Sequence, residues 1–563
     1  MLTNHVNSPF LLRSIVAFAV GGLFILPFKA RAGESATGVF NVKEFGAAGD
    51  GTTLDTPAIN RTINACRQAG GGLVVFPAGK YVTGTFELFS DMTLEVQSGA
   101  VILGSTNLSD YGLKAPYGID ESQIGQSGEG LRTGIIVANH AENVAIVGHG
   151  VFDGRGTYFV DPKVSHGGEP SDFEKLYTRQ GADFAQMGSG VGDGPVKPWM
   201  PWTNRPGVLI TFANCTNVSL RDVTIRDSHN WTINIGHCRN VVVSAVTVLN
   251  NLLLPNNDGL DISAENAHIS DCTIVAGDDA IAANRCKNLT VANCTLSSRS
   301  SGIRFGSNTN CVFENLVISD SNRGIAIYGS ADTAWFSDIN IQSRLFNGHW
   351  WGKAEPIYLS VSPEAGVSAQ IRNIHFSNID GDAESGIMIY GTDASRIHNI
   401  SLDGIHLRLR GGVNSGLVGG NFDLRGLGGG MDTAIFKHDI PAFYAQYVDG
   451  LQIHDFVIQW ESNLPDHFSD GIHCEYFSDL NIDGFKGGPA QNGDSNTAIY
   501  LQHGHTVSIR NCEALPGTGT FLSLTGVEDQ RLFVNNDLLN AQHPTRPEKT
   551  DFKIVSGNAT LEK

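Results

Sequence analysis

Short apolar runs, each broken by Gly, Asn, Asp or Ser, recur along most of the chain, and a single early stretch shows helical spacing. The spacing predicts a helix over residues 56–69, with Pro57 at a tolerated first-turn position and Gly70, Gly71 and Gly72 ending it. Residues 73–76, 81–88 and 92–103 are β-favouring runs punctuated by Pro77, Gly79, Gly84 and Gly99, and read as strands.

From about residue 207 a unit repeats. An Asn followed by a short apolar run stands at Asn217, Asn240, Asn266, Asn288 and Asn310, with spacings of 23, 26, 22 and 22, and again at Asn373 and Asn399. Such a period, with short strands and almost no helical pattern, predicts an all-β, single-stranded parallel β-helix whose coils stack ~4.8 Å apart. Leucine-rich repeats share the period but need a Leu-rich consensus that is absent. Each Asn is expected at a turn, bonding its counterparts above and below and satisfying backbone groups that the bend exposes. Cysteines obey the same register: Cys215 and Cys238 precede their Asn by two residues, while Cys272 and Cys294 follow theirs by six. Disulfides between adjacent coils and stacked core thiols are both compatible with that spacing. Residues 154–204, rich in Gly and Pro and carrying Trp199 and Trp202, interrupt the pattern and read as a long loop over the coils. Past Asn399 the coils continue less regularly to about residue 540, so one β-helix domain is expected over 33–563.

Composition narrows the classes. With 563 residues, 41% hydrophobic, 17% charged and 66 glycines, the chain is neither collagen, nor a disordered tail, nor a polytopic membrane protein. A net charge of -19 without a long basic run argues against nucleic acid and anionic membranes as partners. Residues 1–32 hold Arg13, a mostly apolar stretch over 14–28 and a terminal Ala30, Arg31, Ala32, which reads as a signal peptide too short to span a bilayer. Its removal takes the charge from -19 to -22 and directs a monomer, with no lasting membrane association, to the periplasm or the medium. The nine cysteines include no CxxC pair, and neither a metal nor another cofactor is expected.

Register then brings chemistry into view. Asp258 lies eight residues before Asn266, and Asp278 and Asp279 lie ten and nine before Asn288, so all three share one wall. Carboxylates on adjacent coils repel one another, which raises a pKa and supplies one acid and one base near neutral pH, a set suited to glycosidic hydrolysis. A lone Asp in such a turn caps backbone amides or binds calcium; three in one column favour chemistry.

The stretch Asn256, Asn257, Asp258, Gly259, Leu260, Asp261 followed by Gly277, Asp278, Asp279, Ala280, Ile281 resembles the paired signature of the polygalacturonase family, glycoside hydrolase family 28. Residues 40–51, 70–81 and 150–154, Arg205 with Pro206, and Ser228 with Trp231 and Thr232 extend the resemblance over roughly 38–330. It implies a right-handed, pectin-lyase-like β-helix with an N-terminal capping helix. It also implies inverting hydrolysis of a pectic or related plant polysaccharide, with Asp278 as general acid and Asp258 with Asp279 activating water across a gap of ~6.5–9.5 Å.

The chain departs from the family twice. Where a Gly, His, Gly motif is expected it has Ser300, Ser301, Gly302, and where Arg, Ile, Lys is expected it has Ala326, Ile327, Tyr328. Arg304 and Arg323 are candidates to replace the lost positive charge, with a salt bridge as the structural alternative. A rhamnogalacturonan or another decorated polymer is therefore preferred to plain pectate. His349, Trp350, Trp351, Gly352, Lys353, Ala354, Glu355 forms a further polar and aromatic cluster in which Trp351 and Lys353 are candidate sugar contacts, as is Asn256 in the signature. His229 and His237 lack metal-ligand spacing and read as core or surface residues. Asn-x-Ser/Thr triplets such as those at Asn214, Asn230 and Asn288 arise from the coil pattern itself. Two alternatives use the same scaffold: a polysaccharide lyase with Lys353 or an Arg as base, and a non-catalytic carbohydrate-binding β-helix.

Overall fold

The computed structural model describes residues 38–112, 133–159, 205–252, 254, 256–346, 352–361, 369–420, 422, 439–491 and 495–561. The signal peptide expected over 1–32 lies outside them, as does the insertion expected over 154–204 except for residues 154–159. Among the described residues no helix is long and apolar enough to cross a membrane.

The expected helix is present as Thr56–Gln68 and ends where Gly71 N–H reaches back to Cys66 O at 3.0 Å. A Cβ on Gly71 would stand 2.3 Å from Asp91 O, so the chain can leave the helix in this direction only with glycine there. Its apolar face, Ala58, Ile59, Ile63 and Cys66, is buried over the first coil. Apart from short helical turns such as Gly156–Phe159 and Ser415–Val418, the regular structure around it is β-strand: 42 strands in the described residues, two of them before the helix, joined in one sheet. The paired strands run parallel, each bonded to the coil before and the coil after, which makes a right-handed parallel β-helix. The coils run on past residue 540, to a last strand at Ala559–Thr560.

Inward positions stack like on like. Leu260, Ile281, Ile303, Ile325 and Ile357 fall in register on five successive coils and are at most 1% exposed. Each such side chain contributes roughly 1.5–3 kcal/mol by leaving water. All nine cysteines are buried free thiols, so the stacked-thiol alternative describes this core, with Cys215 N–H directed at Cys238 Sγ at 3.3 Å.

The Asn column stands as expected. Asn217, Asn240, Asn266, Asn288 and Asn310 all hold left-handed backbone, φ 54° or more, which Asn tolerates better than most residues. Their amides form a ladder: Asn288 Nδ2 donates to Asn266 Oδ1 at 2.9 Å, and Asn310 Nδ2 to Asn288 Oδ1 at 2.7 Å. It is interrupted at Thr333 and resumes when Asn373 donates to Asp332 at 2.9 Å and Asn399 to Asn373 at 3.1 Å. A second ladder, Asp271–Asn293–Asn315, turns the other corner.

Replacing Asn288 by Ala removes two rungs and leaves a Cβ at φ 58° with no compensating bond. A loss of about 1–3 kcal/mol is expected in urea unfolding, and Asn288→Gly, which tolerates that backbone, loses less. Equal losses in the two variants would show that backbone conformation is not part of the cost.

Candidate active site

The wall that carries the three aspartates is built by alternation: Leu260 and Ile262 point into the core and Asp261 between them points out. The segments entering this wall are tied together before the strands begin. Asn257, fully buried, donates to Asn251 O at 2.8 Å and accepts from Gly277 N–H at 2.7 Å, joining the approach to Asp258 with the approach to Asp278. Backbone rungs then lock the register, Thr232 N–H to Asp258 O and Gly259 N–H to Asp279 O, both at 2.9 Å. Gly259 makes this approach possible, because a Cβ there would lie 2.5 Å from Ala280 O.

Asp258, Asp278 and Asp279 converge as the spacing predicts, each offering a carboxylate oxygen within 4.8 Å of the others, and are 4%, 6% and 4% exposed. Asp279 is held hardest: its Oδ1 accepts from Ser300 Oγ at 2.8 Å and Ser301 N–H at 3.0 Å. Asp278 Oδ1 accepts from Asp279 N–H at 3.1 Å, and Ser298 Oγ donates to Asp278 O at 2.5 Å. Asp258 Oδ1 is buried with no hydrogen-bond partner among the described residues.

Charge follows from this packing. Burial, and then the charges of Asp278, Asp261 and Asp279, push the Asp258 carboxyl well above the usual range, with Arg304 only partly opposing them. Arg304 Nη1 stands 3.7 Å from Asp279 Oδ2, and about half of its side chain is open to solvent. Although burial opposes its charge, the carboxylates of Asp279, Asp258, Asp278 and Asp261 together hold the guanidinium above its ordinary pKa. Among the described residues these three aspartates alone have the convergence of a cation site, and Arg304 already supplies positive charge beside them. What the arrangement offers is a protonated carboxyl among acidic neighbours, at the edge of solvent.

The other predicted contacts divide. Arg304 joins the aspartates. Asn256 accepts from Arg205 Nη2 at 3.4 Å, and both are buried at the base of the site. Arg323 is only 2% exposed: its Nε bonds Glu355 Oε2 at 3.2 Å, its guanidinium lies 3.9 Å over the Tyr358 ring, and it donates to the Tyr328 hydroxyl. Lys353 is also 2% exposed, with its N–H on the same Glu355 oxygen at 2.7 Å. Arg323 and Lys353 thus lie buried in the wall around Glu355, the first through its side chain and the second through its backbone N–H. Trp351 lies outside the described residues. His229 is buried edge-on to Tyr111 and Phe159, its pKa pushed down to about 3 by burial and by Arg205.

Sequence reasoning missed Ser300 and Ser301 as the clamp on Asp279, and Asp261 as a fourth charge. Alternation could have found Asp261, since it lies between two core residues. Register also locates the lost cations: Asp261, Ala282, Arg304, Ala326 and Tyr358 form one outward column, so Arg304 stands one coil nearer the aspartates than Ala326.

Comparison with known proteins agrees with this geometry. Residues 202–417 match the model of Glycosyl hydrolases family 28, and residues 39–167 that of Rhamnogalacturonase A/epimerase, pectate lyase-like. The chain is 32% identical over 255 residues to an exo-poly-alpha-D-galacturonosidase of Dickeya chrysanthemi, covering 43% of this chain and 41% of that protein. It is 29% identical over 247 residues to a probable polygalacturonase of Vitis vinifera, covering 42% and 43%. The match thus spans about two fifths of the length of these relatives. A family 28 exopolygalacturonase structure from Yersinia enterocolitica shares the fold, with a TM-score of 0.55 and 19% identity over 80% of this chain and 79% of that one.

The raised Asp258 pKa has a consequence for stability. Between the ordinary value of 3.8 and its folded value, the folded chain keeps a proton that the unfolded chain has released. Stability therefore falls as pH rises through that window, and the whole cost is present above it. Asp258→Asn is expected to melt higher than the wild type at pH 7, with the gain shrinking towards pH 4. Parallel melting curves across that range would rule out this linkage.

Proposed function

We propose, from the match of residues 202–417 to the model of Glycosyl hydrolases family 28, that this chain is a secreted or periplasmic glycoside hydrolase acting on a pectic or related plant cell-wall polysaccharide. The observation that carries this is the convergence of Asp258, Asp278 and Asp279, buried yet bordered by a half-exposed Arg304. Three carboxylates brought together out of water are costly to fold, and no structural partner explains Asp258 Oδ1. The leader expected over 1–32 accounts for export.

Asp278 protonates the leaving oxygen, and Asp258 with Asp279 aligns and deprotonates a water on the opposite face. The proton belongs to the cluster: burial favours it on Asp258 in the resting site, and substrate binding redistributes it. Ser300 and Ser301 fix Asp279 so that its second oxygen faces Arg304. Arg304 limits the mutual repulsion and holds an acidic or hydroxyl group of the sugar beside the scissile bond. With Ala326 and Tyr328 in place of the family's cation pair, a polymer less densely charged than pectate suits the site.

A screen of pectic polysaccharides, with products identified by mass spectrometry, is expected to give saturated oligosaccharides. Asp278→Asn lowers kcat roughly 10²–10⁴-fold on the best substrate; turnover unchanged in that variant removes Asp278 from the reaction. Proton NMR of the first product is expected to show the inverted anomer, and a retained anomer would replace the water-activating role of Asp258 and Asp279 by a nucleophilic one. Arg304→Gln raises KM more than it lowers kcat, and an unchanged KM would leave Arg304 a purely structural counter-charge.

A further inference from the structure

The outward column that carries Arg304 runs on in register through Ala326, Tyr358, Met388 and Tyr444 to His473, five coils and roughly 24 Å further. From Tyr444 on, this wall lies beyond residue 417, where the family match stops. One column over, Gln446, Glu475 and Gln502 stand directly above one another, a planar polar side chain on each of three coils. They are set from behind: Tyr444 hydroxyl donates to Gln446 Oε1 at 2.5 Å, His473 Nε2 meets Glu475 Oε1 at 2.9 Å, and Gln502 Nε2 lies 3.3 Å from His473 Nε2. Glu475 Oε2 and Gln502 Oε1 have no partner among the described residues.

Beside them the turn carries Tyr447, Tyr476 and His503, all with left-handed backbone at φ 49°, 51° and 49°. Earlier coils fill the same left-handed turn with varied residues, Asn214, His237, Arg285, Ser307 and Gly329, none of them Tyr. Left-handed backbone is uncommon for tyrosine, and what sets these three coils apart is an aromatic ring on each in succession. The rings stack, with centroids 4.6 Å apart at 6° and then 5.1 Å at 16°. Arg396, held by Asp449, closes one end over Tyr447 at 5.5 Å. At the other end Gly526 withholds a side chain, since a Cβ there would come within 3.1 Å of His503 Nδ1. One face of His503 is thus left uncovered by the next turn, and Tyr476 is 37% exposed.

We propose that Gln446, Glu475 and Gln502, with the rings of Tyr447, Tyr476 and His503, form a second glycan-binding surface that holds neutral-sugar stretches of the same polysaccharide away from the aspartates. This rests on the hydrolase reading for the identity of the polymer. A pyranose ring is about as long as one coil is tall, so a chain lying along the helix axis presents successive hydroxyls to successive planar side chains. Its C–H groups pack along the edges of the stacked rings and, at the end of the ladder, against the open face of His503. Glu475 repels uronates, and Arg396 is already neutralised by Asp449, so neutral sugars are favoured over a run of galacturonate.

The test uses the full chain silenced by Asp278→Asn, so that bound polymer is not degraded. Affinity electrophoresis through gels containing polygalacturonate, or rhamnogalacturonan with neutral galactan side chains, reads retention directly. Stronger retention by the galactan-bearing polymer is expected, weakened roughly three- to tenfold by Tyr476→Gly and by Gln502→Ala. Tyr476→Gly suits the left-handed turn, so its melting temperature stays level or rises, which separates lost binding from lost folding. In the active background both variants raise KM on the polymer and leave hydrolysis of short oligosaccharides unchanged. Retention equal to the parent in both variants, or preference for polygalacturonate, overturns the proposal. A polymer retained through these residues but never cleaved by the wild type would keep this surface and remove the hydrolase reading instead.

Discussion

The rise of one coil, about 4.8 Å, is the constraint from which the rest of this structure follows. It places residues some 22 to 26 positions apart in sequence in side-chain contact, and repeats that contact for every position around the coil. Stacked isoleucines become a core by this route, and stacked asparagines become a corner. Asp258 and Asp279, in register on adjacent coils, have no way to avoid each other. An ordinary globular core would let such carboxylates turn apart; backbone rungs on both sides forbid that here.

The site therefore works against the stability of its own scaffold. Ion pairs elsewhere relieve charge locally, as Arg323 does with Glu355 and Arg344 with Asp382. Around Asp258 a single arginine serves several carboxylates, and the balance is met by keeping a proton. The serine pair that replaces a Gly and His of the related family contributes hydrogen bonds to Asp279 and no charge, so the positive potential of this site comes from Arg304. Moving that cation one coil towards the aspartates changes which part of a sugar it can reach.

How much of this was legible depended on whether the information lay within one coil. The Asn period revealed the fold, because left-handed turns restrict residue choice so strongly that the restriction shows in composition. The three aspartates were legible through the same period. The burial of Arg323 was not legible because its partner Glu355 lies 32 residues on, beyond an irregular stretch where counting from Asn to Asn fails. The serine clamp was invisible for a different reason: half of it is the backbone N–H of Ser301, which carries no side-chain signature. The second ladder, through Asp271, Asn293 and Asn315, escaped notice since Asp and Asn share its positions and a count of one letter misses part of it.

The helix Thr56–Gln68 leaves one lasting asymmetry. By burying Ala58, Ile59 and Ile63 against the first coil, it seals the hydrophobic column on that side. A stack plugged at one face can be lengthened over evolution only by duplicating coils downstream of the plug. The aspartates lie among earlier coils and the stacked aromatic rings among later ones. In that order an ancestral catalytic segment would have stayed put while further binding surface was added behind it, rung by rung, without disturbing the chemistry.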